Sequence, residues 1–280
     1  MEQDLTTGSV FKRIVYFSLP YLLSYFLQTL YGMADLFITG QFYGVDTITA
    51  VSNGSQIMHM MTVIIVGLAM GTTVTIGHSV GAKCMEQAEK IIGNTITLFM
   101  GIAVAFTVIL VVLVKPIVVL IATPQEAVAG TSIYLLICFI GIPFITAYNI
   151  ISSIFRGLGD SKSPMYFIGI ACVMNIALDY LFMGAFHMGA AGAALGTVCA
   201  QTFSVLVTLW VIRRRKTGIS LKKSDFKIER AVIGQVLKIG IPVALQDGFI
   251  QVAFMIITVI ANSRGVSDLS LIHISEPTRH

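Results

Sequence analysis

The chain has 280 residues, of which 56% are hydrophobic and only 11% charged, with a formal net charge of +4. A soluble globular domain carries about one quarter charged residues. One water-facing core cannot absorb this much apolar surface, so lipid is the solvent for most of the chain. The basic residues are concentrated in one interhelical loop with few aromatics to stack on bases, which argues against nucleic acid as a partner.

Residues 1–13 read as a polar amino terminus without a small-x-small cleavage site, so the apolar run that follows is expected to stay in the protein as a span. Spans are predicted at 14–38, 51–78, 91–114, 132–154, 164–184, 190–212 and 232–261. All are expected to be helices, because in hydrocarbon only helices or closed barrels satisfy their own backbone groups and no alternating barrel pattern is present. Turn signals fall at Gly40 and Gly44, at Gly81, at Pro116 and Pro124, and in the run from Arg156 to Pro164. Cys84, Cys138, Cys172 and Cys199 are widely spaced, mostly in apolar segments, and read as small buried hydrophobes rather than disulfides or metal ligands. The fold class is therefore all-α, a polytopic membrane helix bundle.

Fourteen Lys and Arg residues fall on the side that carries the amino terminus, eight of them between spans six and seven. The opposite side has Lys115 and Arg264. The positive-inside rule then puts the amino terminus and the Arg213-Arg214-Arg215-Lys216 loop in the cytoplasm of a multi-pass protein of the cell membrane. Residues 14–212 form an in-to-in unit of six helices, 213–231 a basic cytoplasmic linker, and 232–262 the first helix of a second lobe. The segment Ile239-Gly240-Ile241-Pro242-Val243-Ala244 echoes Phe17-Ser18-Leu19-Pro20-Tyr21-Leu22, as a parallel repeat would, and Pro20 and Pro242 mark places where a helix can bend.

Ionisable groups within spans are costly and mark function by default. Asp35 lies near the outer end of span one and Asp179 in span five, with Asn175 one turn before it on the same face and Thr197 in span six. Helix rise puts Asp35, Asp179 and Thr197 at about 5, 8 and 10 Å from the outer ends of their spans, in one layer. Tyr31 lies a turn before Asp35 on the same face. Such a layer of hard oxygen donors is expected to hold a proton or a sodium ion. The plainer reading is that Asp35 caps a helix end and Asp179 is a satisfied bundle residue.

Three stretches together resemble the multidrug and toxic compound extrusion (MATE) transporters: Met33 to Gly40, Arg156 to Pro164, and Asn175 to Asp179 followed by Met188 to Ala194. The resemblance covers about residues 8–267. It implies a twelve-helix protein of two six-helix lobes that exports organic cations and other drugs in exchange for protons or sodium. It carries the cation site onto Asp35, Asn175, Asp179 and Thr197, with a possible Na+ there, and makes Tyr31, Tyr134 and Asn149 the polar lining of the same lobe and Pro20 the bending point of the first helix. The Asp35 and Asp179 pairing is similar to the bacterial and archaeal branch related to the DNA-damage-inducible exporters. The resemblance leaves H+ against Na+ undecided and implies no cofactor. Expected partners are the lipid bilayer, cationic or aromatic small molecules, and a missing carboxy-terminal lobe of the same polypeptide. The runner-up readings are a lipid-linked oligosaccharide flippase of the same superfamily and a non-transporting membrane receptor or scaffold.

No enzyme is expected. Gly77-His78-Ser79-Val80-Gly81 fits the G-x-S-x-G pattern but closes a membrane helix instead of a strand-to-helix turn. Gly67 with Gly71, and Gly192 with Gly196, have the spacing that lets helices approach closely. Residues 269–280 look like translated sequencing adapter, a non-native tail in which His273 and His280 carry no function, and the protein is expected to continue for about as long again.

Overall fold

The computed structural model describes residues 9–214 and 221–264. Among these the chain is helical and has no strand: α1 (Val10–Phe42), α2 (Val45–Gly81), α3 (Met85–Leu120), α4 (Gln125–Ile140), α5 (Ile142–Gly157), α6 (Lys162–Asp179), a π turn (Tyr180–Ala185), α7 (Gly189–Arg214), a short 3-10 turn (Lys223–Phe226) and α8 (Arg230–Arg264). The tail at 269–280 and the residues Arg215 and Lys216 of the basic run lie outside the described residues.

Five helices, namely α2, α3, α6 with its π turn, α7 and α8, are long and apolar enough to cross a bilayer, and α4 and α5 taken together are long and apolar enough for a sixth. At 33 residues α1 is about 50 Å long and could also span, but Ser18, Ser24, Gln28, Thr29 and Asp35 leave it less apolar than the others. Its outer surface still carries Leu19, Leu22, Phe26 and Phe37 exposed, as do Val108, Val112 and Val119 on α3. A lipid-facing surface takes that form, because hydrocarbon solvates such side chains as well as a core does.

The fourth span departs from expectation. Instead of one helix over 132–154, α4 and α5 meet at Gly141 with a bend of 51°. Pro143, in the first turn of α5, cannot donate a backbone hydrogen bond to the turn before it. At Gly141 the bend also packs tightly on α7, since a methyl group there would lie 2.5 Å from Val198 Cγ2. Two turn signals are likewise corrected. Gly40 lies inside α1, the chain turning at Tyr43-Gly44 instead, and α3 runs on through Pro116 to Leu120. A proline near a helix end loses little, since neighbouring groups re-satisfy the freed carbonyl. Of the cysteines, Cys138 and Cys172 are buried, but Cys84 and Cys199 are exposed, the first in the α2–α3 turn and the second on an outward face of α7.

The core between the helices forms three clusters. The largest joins Ile38, Val51, Ile57, Leu135, Phe139, Ile142 and Met183, where α1, α2, α4, α5 and the π turn converge. A second joins Ile76, Ile91, Phe99, Ile150 and Val236 from α2, α3, α5 and α8, and a third joins Phe155, Phe167 and Val205. Packing between α2 and α8 is the most extensive of any helix pair. Small residues permit it: a Cβ on Gly67 would lie 2.7 Å from Ala244 Cα, one on Gly71 would overlap the Val236 carbonyl, and one on Gly240 would overlap that of Leu68. Within lipid, backbone approach of this kind replaces the hydrophobic effect as the source of helix association.

A buried carboxyl cluster shared by three helices

Three helices each bring a pair of polar residues spaced four apart: Tyr31 and Asp35 on α1, Asn175 and Asp179 on α6, Thr197 and Gln201 on α7. Residues four apart share a face. Because α1 and α6 run one way and α7 the other, Asp35, Asp179 and Thr197 fall at one level and Tyr31, Asn175 and Gln201 one turn beyond. The upper three lie about 9 to 12 Å from the helix ends at Phe42, Ala185 and Gly189. The cluster is thus deeper than expected, because α1 continues past residue 38 to Phe42.

Asp35 is 3% exposed and Asp179 fully buried. The Asp35 carboxyl is surrounded by Asp179, Thr197 and Asn175. The Thr197 hydroxyl donates to Asp35 Oδ2 at 3.2 Å. The other Asp35 oxygen, the Asp179 carboxyl and the Asn175 amide are all buried in the same cluster, with Asp179 and Asn175 within hydrogen-bonding reach of Asp35. Asp179 can sit here only because α7 presents Gly196 to it, where a methyl group would overlap Asp179 Oδ1. The Tyr31 side chain meets that of Gln201, which is 5% exposed.

The backbone is shaped around the cluster as well. Immediately after Asp179 the helix widens into the π turn, a geometry that recurs where a helix carries a functional side chain. The turn directs Met183, fully buried, against Thr39, whose hydroxyl donates to the Asp35 carbonyl at 2.6 Å. The Tyr43 hydroxyl ties the same region together, donating to the Met183 carbonyl at 3.1 Å and accepting from Gly189 N at 2.9 Å.

Of the residues singled out in the sequence, Asp35, Asn175, Asp179 and Thr197 are brought together, with Tyr31 one turn away. Tyr134, 2% exposed, borders them within electrostatic reach of Asp35 and Tyr31, and its hydroxyl shares a hydrogen bond with Ser55 Oγ at 3.0 Å. Gly54 lies flat against its ring. Tyr134→Phe is expected to lower stability by about 1 kcal/mol, the usual worth of one such bond, without moving the ring, as read by thermal unfolding in detergent. Asn149 is buried but spends its amide on the Ile145 carbonyl one turn back, at 2.8 Å. Pro20 and Pro242 lie inside unbroken helices. Sequence reasoning misses Gln201, although its spacing from Thr197 is the available signal. The G-x-S-x-G run is helical, and Ser79 Oγ donates to the Thr75 carbonyl at 3.1 Å.

The site and the fold define a multi-pass helical membrane protein with paired carboxyls sheltered inside the bundle. The MatE family profile matches residues 20–181, and the chain belongs to that family. It is 34% identical over 263 residues to the Bacillus subtilis protein named "Probable multidrug resistance protein YpnP", covering 94% of this chain and 58% of the relative. It is 26% identical to the Staphylococcus aureus multidrug export protein MepA, covering 85% of this chain and 53% of that one. An outward-facing multidrug resistance MATE family transporter superposes with a TM-score of 0.81 at 25% identity, over 87% of this chain and 54% of its own. An inward-facing one gives 0.78, over 84% and 53%. The chain spans about half the length of the relatives it matches.

Proposed function

We propose that the protein is part of a secondary antiporter that exports cationic, aromatic small molecules in exchange for H+ or Na+, with Asp35, Asn175, Asp179 and Thr197 as the coupling site. The observation that carries this reading is the buried pairing of Asp35 with Asp179. Two carboxyls buried together are tolerable only if a positive charge joins them, and none is supplied by a Lys or Arg among the described residues bordering them. A proton or an alkali ion supplies it from outside, and a cationic substrate competes for the same charge. An ion that binds one facing state better than the other shifts the population towards it, which couples its entry to export. Acidic rather than basic surroundings suit a cationic drug over an anionic lipid-linked sugar, and a receptor or scaffold would have no use for the pair.

Tyr31, Tyr134 and Gln201 would line the substrate path beside the pair, and Pro20 and Pro242 would let α1 and α8 bend. The relatives named as multidrug resistance and export proteins support the substrate class. The basic ends of the helices support a cytoplasmic amino terminus in the cell membrane. The test is export of a fluorescent aromatic cation from vesicles containing the full-length protein, under an imposed proton gradient and separately under a sodium gradient. Export accelerated by one of them is expected, and equal leakage with both and with neither would refute the reading.

A further inference from the structure

The connector between α7 and α8 is docked on α3. Asn94, 1% exposed and nine residues into α3, donates through Nδ2 to the Asp225 carbonyl at 3.1 Å and accepts at Oδ1 from Glu229 N at 2.6 Å. One amide side chain thus pairs with the backbone on both sides of the connector's last turn, as a neighbouring strand would. One turn on, Thr97 Oγ1 donates to the Phe226 carbonyl at 2.9 Å. Gly93 provides the space, since a methyl group there would overlap the Asp225 carbonyl. The docked turn is also braced internally: the buried Asp225 carboxylate accepts from Lys222 N at 2.7 Å and from Ser224 Oγ at 3.4 Å. Helix α8 begins at Arg230, directly after the last of these bonds.

We propose that Gly93, Asn94 and Thr97 form a docking groove that pins the start of α8 to α3, so that any movement of α8 against α1–α7 pivots at Glu229–Arg230. A free tether would let α8 slide as well as tilt, whereas a pinned end converts displacement into rotation. This role in movement rests on the transport reading; the docking itself does not.

The test uses the full-length protein in detergent, with trypsin cleavage after Lys227 as the readout, since cleavage at a docked bond follows the population that has opened. In the parent protein that bond is expected to be cut at least about tenfold more slowly than in the denatured chain. Asn94→Ala and Gly93→Leu should each restore rapid cutting, and Gly93→Leu does so while giving α3 a better helix former. Equal cutting of the native and denatured parent, or unchanged protection in both variants, would overturn the docking. In vesicles, both variants are expected to bind the fluorescent cation normally yet export it at least about fivefold more slowly, a loss within the usual range for coupling between distant sites. A released connector with undiminished export would overturn the pivot. Failure of the parent to export under any gradient would count against the transport reading alone, because protection at Lys227 is read without a gradient.

Discussion

Asp35→Asn and Asp179→Asn are each expected to cut gradient-driven export at least about a hundredfold while leaving the protein as stable as before or more so, the combination that sets a coupling group apart from a structural one. The amide is nearly the shape of the carboxyl, so Asp179→Asn keeps the packing against Gly196. It removes a buried ionisable group, and replacing such groups by neutral ones often stabilises a fold. On the proposed reading, however, a driving ion would then meet one carboxyl instead of two and lose its preference between the two facing states. Because the two groups act as one site, the double variant should be no worse than the poorer single one. Export assays under each gradient, with thermal unfolding alongside, check this. Full export by either single variant would remove that residue from the coupling site.

Gly71→Leu is the structural counterpart. Its Cβ position overlaps the Val236 carbonyl on α8, a backbone atom that cannot rotate away, so the side chain must separate the helices. Overpacking of a rigid contact costs about 1 to 3 kcal/mol or more, and here it also breaks the fit of Gly67 against Ala244. Loss of folded protein on detergent extraction is expected. Gly101→Leu, on a part of α3 where an added Cβ meets nothing within 4 Å, should be silent. Equal behaviour of the two variants would show that the α2–α8 contact is not what holds α8 in place.

Much of this is legible in the residues themselves. Long uncharged stretches without a barrel's alternating pattern require helices in lipid, because only helices or closed barrels satisfy the backbone there. The spacing of Asn175 and Asp179 puts them on one face whatever the fold, and counting residues from the helix ends brings Asp35, Asp179 and Thr197 to a common depth. That count falls short by several residues, because Gly40 looks like a break and lipid-buried glycines do not break helices as aqueous ones do. The bend at Gly141 has a signal in Pro143 that an uninterrupted apolar run conceals. Gln201 is hidden because an amide in a membrane helix says nothing of which neighbour it faces.

The amino-acid order by itself determined the helical class, the approximate spans and which polar residues share a face, since these follow from local rise, rotation and the solvent. Tertiary packing alone decided that three separate faces turn towards each other, that Gly196 leaves room for Asp179, that the chain widens into a π turn beside it, and that Asn94 receives a connector 131 and 135 residues further along the chain. Those outcomes depend on how close two backbones come, and closeness is a property of pairs of helices that no single segment encodes.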